Sequence, residues 1–289
     1  MSITEARDTG ESAATRLNEA LLEFAPRLSS RIQRIAAGIE TEGGRVRSTP
    51  ENLASIAALV AAMRNDFIDD ELVEAITEYV ESFDTISQDV LDAFGDFDDL
   101  DPDLVAAIDR TFKQQAAGLL LSPETYERSL WNTVANGMIY AVAVGGPVTD
   151  MLGSIDNIVE SGAVTQATAG IVESAPLMLQ RTATAAVAES VGAEFFFYQG
   201  RPIKTTREFC RDREGKYWHR EEIKQWGRDA ARGDGWDGMV EGTNEQTIFL
   251  HLGGWYGDRN SCRHVLIPVP RIGVPEEDLD RMREKGYIE

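Results

Sequence analysis

The spacing of apolar residues changes once along this chain, between Gly192 and Gly200. Before that point, apolar residues recur at intervals of three and four, which is the period of an amphipathic helix. After it, short aromatic and β-branched runs alternate with turns rich in glycine and aspartate, as in strands joined by loops. The sequence therefore predicts an α+β protein in two parts: an acidic all-α region over residues 1–192 and a small α+β module over residues 193–289.

Charge divides the chain at the same place. Residues 1–200 contain 12 basic and 32 acidic residues, whereas residues 201–289 contain 16 and 17, for a total net charge of −21. Such a protein lacks the basic face that general binding to DNA, RNA or anionic membranes requires. No uninterrupted apolar run is long enough to cross a bilayer. The chain has two cysteines, and its N-terminus does not resemble a secretory signal peptide. We therefore expect it to be made in a reducing cytoplasm.

Six to eight helices are expected in the N-terminal part. A stripe of apolar residues from Leu17 to Ile39 predicts one long helix, which Pro26 should kink or split. The length of this stripe also indicates that the region assembles with other chains. Three further helices should begin where a capping residue precedes a proline. These capping residues are Thr49, Asp101 and Ser122.

One segment of the helical region, residues 65–109, carries 16 acidic residues and no lysine or arginine. The acidic residues fall between the apolar positions, which favours a solvated helical face. A second interpretation stays open, in which the segment forms a surface that repels DNA or docks on a basic partner.

The C-terminal module has several predicted strands and a short helix. The strands are expected over residues 194–200, 216–218, 247–252 and 264–269, and the helix over residues 219–226. A module of this size has little core of its own. Small modules of this kind often depend on a metal or a disulfide as a cross-link.

The candidate cross-link consists of both cysteines and two of the three histidines. Two thiolates and two imidazoles would complete a tetrahedral zinc shell. Two alternatives stay open, a disulfide between the cysteines and two buried thiols without a partner. A cysteine nucleophile with a histidine base is disfavoured, because nothing in the sequence marks an oxyanion hole. The predicted zinc ligands are Cys210, His219, Cys262 and His264.

The same residues belong to a longer pattern, which begins with an aromatic run ending in glycine. The pattern continues with a threonine and then with Phe-Cys, Gly-Lys and Glu-Ile. It ends with Gly-Gly, Cys-Arg-His and an apolar strand that finishes in proline. This pattern resembles the C-terminal module of the minor head, or virion morphogenesis, proteins of tailed bacteriophages, the Mu F-like head protein family. The resemblance covers residues 195–270, with an insertion at 255–260. The matching residues are Thr206, Phe209, Cys210, Gly215, Lys216, Glu222, Ile223, Gly253, Gly254, Cys262, Arg263, His264 and Pro268.

The resemblance implies a structural virion protein rather than an enzyme. Members of that family are low-copy virion components associated with the portal or with the inside of the head. The implied location is the virion, after assembly in the host cytoplasm. The implied partners are portal, head or connector proteins and further copies of the chain, with no sequence-specific nucleic acid and no membrane. The alternative is a cysteine- or metal-dependent hydrolase that acts during assembly or genome delivery.

Overall fold

The computed structural model describes residues 3–65, 67–95, 97, 100–200, 204, 206–253 and 262–289. Within these residues the fold is α+β with a mostly helical N-terminal region, as predicted, and no helix is long and apolar enough to cross a membrane. The helices are α1 (Ile3–Ala36), α2 (Pro50–Asn65), α3 (Asp70–Glu81), α4 (Phe83–Ala93), α5 (Pro102–Leu121), α6 (Asn132–Val144), α7 (Val148–Ile158), α8 (Val164–Ser190), α9 (Glu208–Arg213), α10 (Arg220–Ala231), α11 (Ile248–His251) and α12 (Glu276–Glu284). The strands are β1 (Thr41–Glu42), β2 (Arg45–Val46), β3 (Phe195–Gln199), β4 (Tyr217–His219) and β5 (Val265–Val269).

The chain forms two compact units. One comprises Ala13–Val80 and Gln115–Val172, and the other comprises Met1–Ser12, Glu81–Gln114 and Glu173–Glu289. The module predicted over residues 193–289 therefore shares its compact unit with helical segments that precede it in the sequence.

The three helix starts predicted from a cap and a proline are confirmed. In each, the side-chain oxygen of the cap accepts a backbone N–H two or three residues later. The first two caps open α2 and α5, and the third opens a 3-10 turn that leads towards α6. The accepting residues are Thr49, Asp101 and Ser122, at 3.2, 3.0 and 3.3 Å.

The apolar stripe of α1 is buried, and the helix continues through Pro26 without the predicted split. A proline removes one helical hydrogen bond. The flanking side chains of Phe24 and Leu28 are buried, and their burial offsets that loss. The buried residues of the stripe include Leu17, Leu21, Phe24, Leu28, Ile32 and Ile39.

The unit that contains Ala13–Val80 is helical apart from one hairpin. Gly43 and Gly44 join β1 to β2, and both have the positive φ (58° and 78°) that a two-residue hairpin turn requires. An aromatic cluster lies in the core of this unit. The ring of Phe67 packs edge-on against Tyr126 and Trp131, with centroids 4.8 and 5.4 Å away.

Most of the acidic side chains that the structure describes in residues 65–109 are exposed. On α3, Leu72, Ile76 and Tyr79 are buried, and the acids lie at exposed positions between and beside them. This arrangement suits a solvated face and also leaves the charges accessible to a basic partner. The exposed acids are Asp70, Glu71, Glu74, Glu78, Glu81, Asp84, Asp92, Asp101 and Asp103.

A three-stranded antiparallel sheet lies in the second unit, with the strand order β4-β3-β5. On the central strand, Phe196 lies opposite Trp218 of β4 and Pro268 of β5. Phe196 is fully buried, so the sheet contributes directly to the core. The strands predicted over residues 194–200, 216–218 and 264–269 are confirmed.

The strand predicted over residues 247–252 is wrong, because Ile248–His251 form the short helix α11. The side-chain oxygen of Asn244 accepts the backbone N–H groups of Gln246 and Thr247, at 2.9 and 3.2 Å. This local turn directs the chain into a helical conformation. The apolar run that favoured a strand then packs in the core through the helix, with Ile248 fully buried.

The last helix, α12, is fastened to α10 through a buried carboxylate. Glu222 of α10 is 2% exposed. Arg281 contacts both of its oxygens, at 3.0 and 2.8 Å, and Lys285 lies at 2.6 Å. Because two cations neutralise this buried acid, the contact ties the end of the module to the helix that follows β4.

Candidate functional site

Three of the four predicted zinc ligands meet in one buried cluster. Cys210 lies on α9, whereas Cys262 and His264 lie just before β5. The sulfur atoms are 3.5 Å apart, and Cys262 Sγ is 3.7 Å from His264 Nδ1. One donor atom from each residue lies within 4.8 Å of the others. Cys210 is 1% exposed, and Cys262 and His264 are each 3% exposed, so the cluster lies inside the core.

His219, the fourth predicted ligand, lies at the end of β4 and is not one of the clustered residues. Its Nδ1 accepts the backbone N–H of Glu221 at 3.3 Å, which caps the start of α10. Its ring stacks on Tyr287, with centroids 6.3 Å apart. Burial lowers the pKa of His219, although nearby glutamates oppose this shift. In this structure His219 therefore serves as a helix cap.

The two thiols lie in hydrogen-bond contact with each other. Both cysteines are free, and their separation of 3.5 Å exceeds the roughly 2.05 Å of a disulfide bond. The hydrogen bond with Cys262, together with burial, raises the pKa of Cys210. Burial alone would raise the pKa of Cys262, but the hydrogen bond with Cys210 and the charge of Arg181 hold it well below its usual value. The two pKa shifts are opposite, so the contact favours retention of a proton by Cys210 over Cys262.

Arg181, on α8, fixes the segment that carries Cys262 and His264. Its guanidinium donates to the carbonyl oxygens of Leu250 (2.9 Å), Cys262 (2.9 Å) and His264 (2.7 and 3.0 Å). It also donates to Cys262 Sγ at 3.2 Å. Arg181 is 2% exposed, so these contacts occur in a medium of low dielectric constant, where they are strong.

Tyr198, on the central strand β3, contacts the cluster from another side. Its hydroxyl donates to Cys210 Sγ at 3.4 Å. Its ring stacks on the imidazole of His264, with centroids 5.1 Å apart. Burial raises the pKa of Tyr198 well above its usual value, so the hydroxyl keeps its proton and remains a donor.

The imidazole of His264 has one nitrogen directed at a carboxylate. Its Nε2 is buried and has no hydrogen-bond partner among the described residues. Glu214 Oε2 lies 3.8 Å from this nitrogen, slightly beyond hydrogen-bond distance. Glu214 directly follows α9, so the helix that carries Cys210 also places this carboxylate.

Two glycines allow the backbone to approach the cluster closely. A Cβ atom on Gly253 would overlap Cys210 Sγ, and a Cβ atom on Gly200 would overlap the ring of His264. Only glycine fits at such positions without a shift of its neighbours. Gly253 and Gly200 both belong to the pattern that defines the resemblance, whereas Gly254 and the insertion at 255–260 lie outside the described residues.

Aromatic rings enclose the cluster beside α9. Phe209 stacks on Trp236, with centroids 3.9 Å apart. The guanidinium of Arg213 lies over Phe209 and Trp226, at 3.8 and 4.6 Å from the ring centroids. Trp236 Nε1 donates to the carbonyl of Gly253 at 3.1 Å, which holds that glycine against the cysteines.

Two sulfur donors and one imidazole within reach of a single point can bind a metal ion, and the two sulfurs can also be oxidised to a disulfide. The chain matches no protein-family model, no curated protein and no solved structure. The three cluster residues are buried together with the guanidinium of Arg181 and the phenol of Tyr198, and the partly exposed carboxylate of Glu214 lies beside them.

Sequence reasoning missed Arg181, Tyr198 and Glu214. One signal could have found the first of them: Arg181 is the only charged residue between Glu173 and Glu189. A lone cation in a long uncharged stretch of a helix indicates burial against hydrogen-bond acceptors. Tyr198 and Glu214 lie within the aromatic run and the Cys210 segment, where no local pattern separates them from their neighbours.

Proposed function

We propose that this chain is a structural virion protein of a tailed bacteriophage, a minor head or portal-associated component that acts in particle assembly. The observation that carries the proposal is the meeting of Cys210, Cys262 and His264. The two cysteines are 52 residues apart in the sequence, yet they lie in contact, and two glycines of the same pattern pack against the cluster. Residues that share one core support the resemblance more strongly than separate short motifs would.

Burial of the cluster favours a structural role over catalysis. A nucleophile or a catalytic metal must be reached by its substrate. Here the donor residues are almost fully buried, and Arg181 contacts both the sulfur and the carbonyl of Cys262. The chemistry of the cluster therefore suits a cross-link that stabilises the module.

The exposed acids suit assembly contacts. The acidic face of α3 can dock on a basic surface of a portal or head protein, with electrostatic attraction that guides the encounter. The net charge of −21 also disfavours binding to the packaged genome, so a protein inside the head would not hold the DNA.

The hydrolase remains the second candidate because of one observation. Among the described residues three ligands cluster, and a site with three protein ligands would leave a coordination position for a water molecule, as in catalytic zinc sites. Access to that position decides between the two functions.

The test uses the phage or prophage that encodes this chain. Its gene is deleted, the full chain is supplied in trans, and purified particles are examined by quantitative mass spectrometry and cryo-electron microscopy. We expect a low, fixed number of copies in mature particles and a loss of infectious particles without the chain. Mature particles that lack the chain, or normal infectivity after deletion, would exclude a structural role.

The same system separates the hydrolase. A structural component must be supplied in stoichiometric amounts, so the yield of infectious particles should rise in proportion to the chain until its sites are filled. A hydrolase would restore the yield at a small fraction of that amount, and a changed substrate protein, nucleic acid or cell-wall fragment would accompany it.

A further inference from the structure

We propose that Cys210, Cys262 and His264 bind one Zn²⁺ ion, so that the described residues supply three of the four ligands expected from the sequence and His219 lies outside the coordination shell. The proposal concerns the chemistry of the module alone. It holds or fails independently of any role in a virion.

The distances suit a tetrahedral ion. Bond lengths of about 2.3 Å for Zn–S and 2.05 Å for Zn–N place two sulfur ligands about 3.8 Å apart and a sulfur and a nitrogen about 3.6 Å apart. The corresponding distances here are 3.5 Å between the sulfurs and 3.7 Å from Cys262 Sγ to His264 Nδ1. The third pair, Cys210 Sγ and a nitrogen of His264, lies within 4.8 Å, so the two residues would approach each other by at most about 1.2 Å to hold the ion.

The donor types select zinc over the common hard cations. Thiolate and imidazole ligands suit Zn²⁺, whereas Mg²⁺ and Ca²⁺ prefer carboxylate, carbonyl and water oxygens. Cysteine binds zinc as the thiolate, so binding displaces the thiol protons and releases them to solvent.

The ion and its two thiolate ligands balance in charge. Zn²⁺ and the thiolates of Cys210 and Cys262 sum to zero. The guanidiniums of Arg181 and Arg213 and the partly exposed carboxylate of Glu214 lie around them. Two thiolates without the ion would leave two negative charges in the core, which is costly, whereas the ion neutralises both.

Each proposed ligand also has an outer partner. Arg181 donates to Cys262 Sγ at 3.2 Å, and Tyr198 donates to Cys210 Sγ at 3.4 Å. When Nδ1 of His264 binds the ion, the proton must reside on Nε2, which faces Glu214 at 3.8 Å. A short movement would then give this nitrogen a partner, in the carboxylate–histidine–zinc arrangement that orients metal ligands.

The ion would join parts of the chain that are distant in sequence. Cys210 belongs to α9, and the other two ligands precede β5, so coordination ties the helix to the sheet. The described side chains supply three ligands, and a water molecule would complete the tetrahedron.

The test uses the full chain, purified under reducing conditions without added metal. We expect close to one zinc ion per chain by plasma mass spectrometry. After removal of zinc with a chelator, Co²⁺ should produce the sulfur-to-cobalt charge-transfer bands and the intense visible bands of a tetrahedral thiolate site. Cys210→Ser and Cys262→Ser should each abolish these bands. The matched control, His219→Asn, should retain both the zinc content and the cobalt spectrum.

The wild-type chain alone also decides the question if a cysteine variant fails to fold. A metal content far below one ion per chain, with no cobalt thiolate bands from the reduced protein, would overturn the proposal. Thiol counting in denaturant without reductant then identifies the real state, since two reactive thiols mean an unliganded pair and none means a disulfide. Loss of metal from a folded His219→Asn variant would overturn the three-ligand assignment.

Discussion

Arg181 holds Cys262 at two atoms, donating one hydrogen bond to its carbonyl oxygen at 2.9 Å and another to its sulfur at 3.2 Å. One guanidinium thus fixes both the backbone and the side chain of a cluster residue. The adjacent residue Arg263 has the opposite environment, since its side chain is 44% exposed and forms one ion pair of 3.9 Å with Glu11.

Because the two arginines have different environments, their replacement should lower the free energy of unfolding by different amounts. Arg181→Met should reduce the free energy of unfolding by about 3–5 kcal/mol, because it leaves buried acceptors without a donor. Arg263→Met should cost at most about 1 kcal/mol, as for other exposed ion pairs. Urea unfolding followed by tryptophan fluorescence measures both values. Similar small losses in the two variants would show that the buried contacts of Arg181 are not important for stability.

Replacement of Gly253 should disturb the cluster. The new methyl group of Gly253→Ala would overlap Cys210 Sγ, so we expect a loss of roughly 1–3 kcal/mol. The matched control is Gly118→Ala, at an exposed position of α5 with no atom within 4 Å of the added carbon. That change should raise stability by roughly 0.5–1 kcal/mol. If Gly253→Ala were as stable as the wild type, the close approach in the structure would be incorrect.

His219 should make the protein less stable in acid. Its Nδ1 accepts the N–H of Glu221, and burial lowers its pKa below the usual 6.5. The unfolded chain takes up the proton first, so the free energy of unfolding falls as the pH drops below about 6.5. A protonated Nδ1 cannot accept, and its charge opposes the helix dipole.

His219→Asn isolates this effect, because asparagine can cap the helix but does not titrate. All other titratable groups are the same in the two proteins. Between about pH 7 and pH 5 the variant should therefore lose less stability than the wild type. Chemical denaturation at several pH values gives the two slopes, and identical slopes would contradict the buried, neutral state of His219.

The acidic face of α3 should matter for assembly and not for folding. Glu74, Glu78 and Glu81 are exposed and lie three or four residues apart, so they repel one another. Changing all three to glutamine should leave stability equal to, or slightly above, that of the wild type. Incorporation into particles should fall, and added salt during assembly should have the same effect on the wild type.

Three exposed acids outside this face provide the control. Glu241, Glu277 and Glu284 are also exposed, and their replacement by glutamine changes the net charge by the same amount. Incorporation of this control should match the wild type. If both triple variants were incorporated equally well, the acidic face would not contact a partner and would be a solvated surface only.

Local patterns in the sequence predicted much of the fold. The period of apolar residues identified α1, and the caps Thr49 and Asp101 identified the starts of α2 and α5, since these features depend on neighbours within one or two turns. The three strands of the larger sheet were predicted for the same reason. At α11 the local pattern misled, because the side chain of Asn244 outweighed the strand propensity of the apolar run that follows.

The site depends on distant contacts, and the sequence could predict only part of it. The residue types indicated that Cys210, Cys262 and His264 belong together, and the structure places them in contact. The spacing could not show that His219 faces away from them, since its direction follows from the pairing of β4 with β3. Arg181 comes from a helix far upstream, so no motif around the cysteines includes it.

The order of strands in the sheet has a consequence for synthesis on the ribosome. β3 is the central strand, and its partner β5 is the last of the three to be made; Phe195 pairs with Val269, far downstream. Until β5 emerges, one edge of a strand that reads Phe-Phe-Phe-Tyr-Gln has no partner. Unpaired apolar edges of this kind promote aggregation of nascent chains. We therefore expect chaperones to bind nascent chains that are stalled between residues 200 and 265. The chaperones should release the chain once residue 269 is exposed.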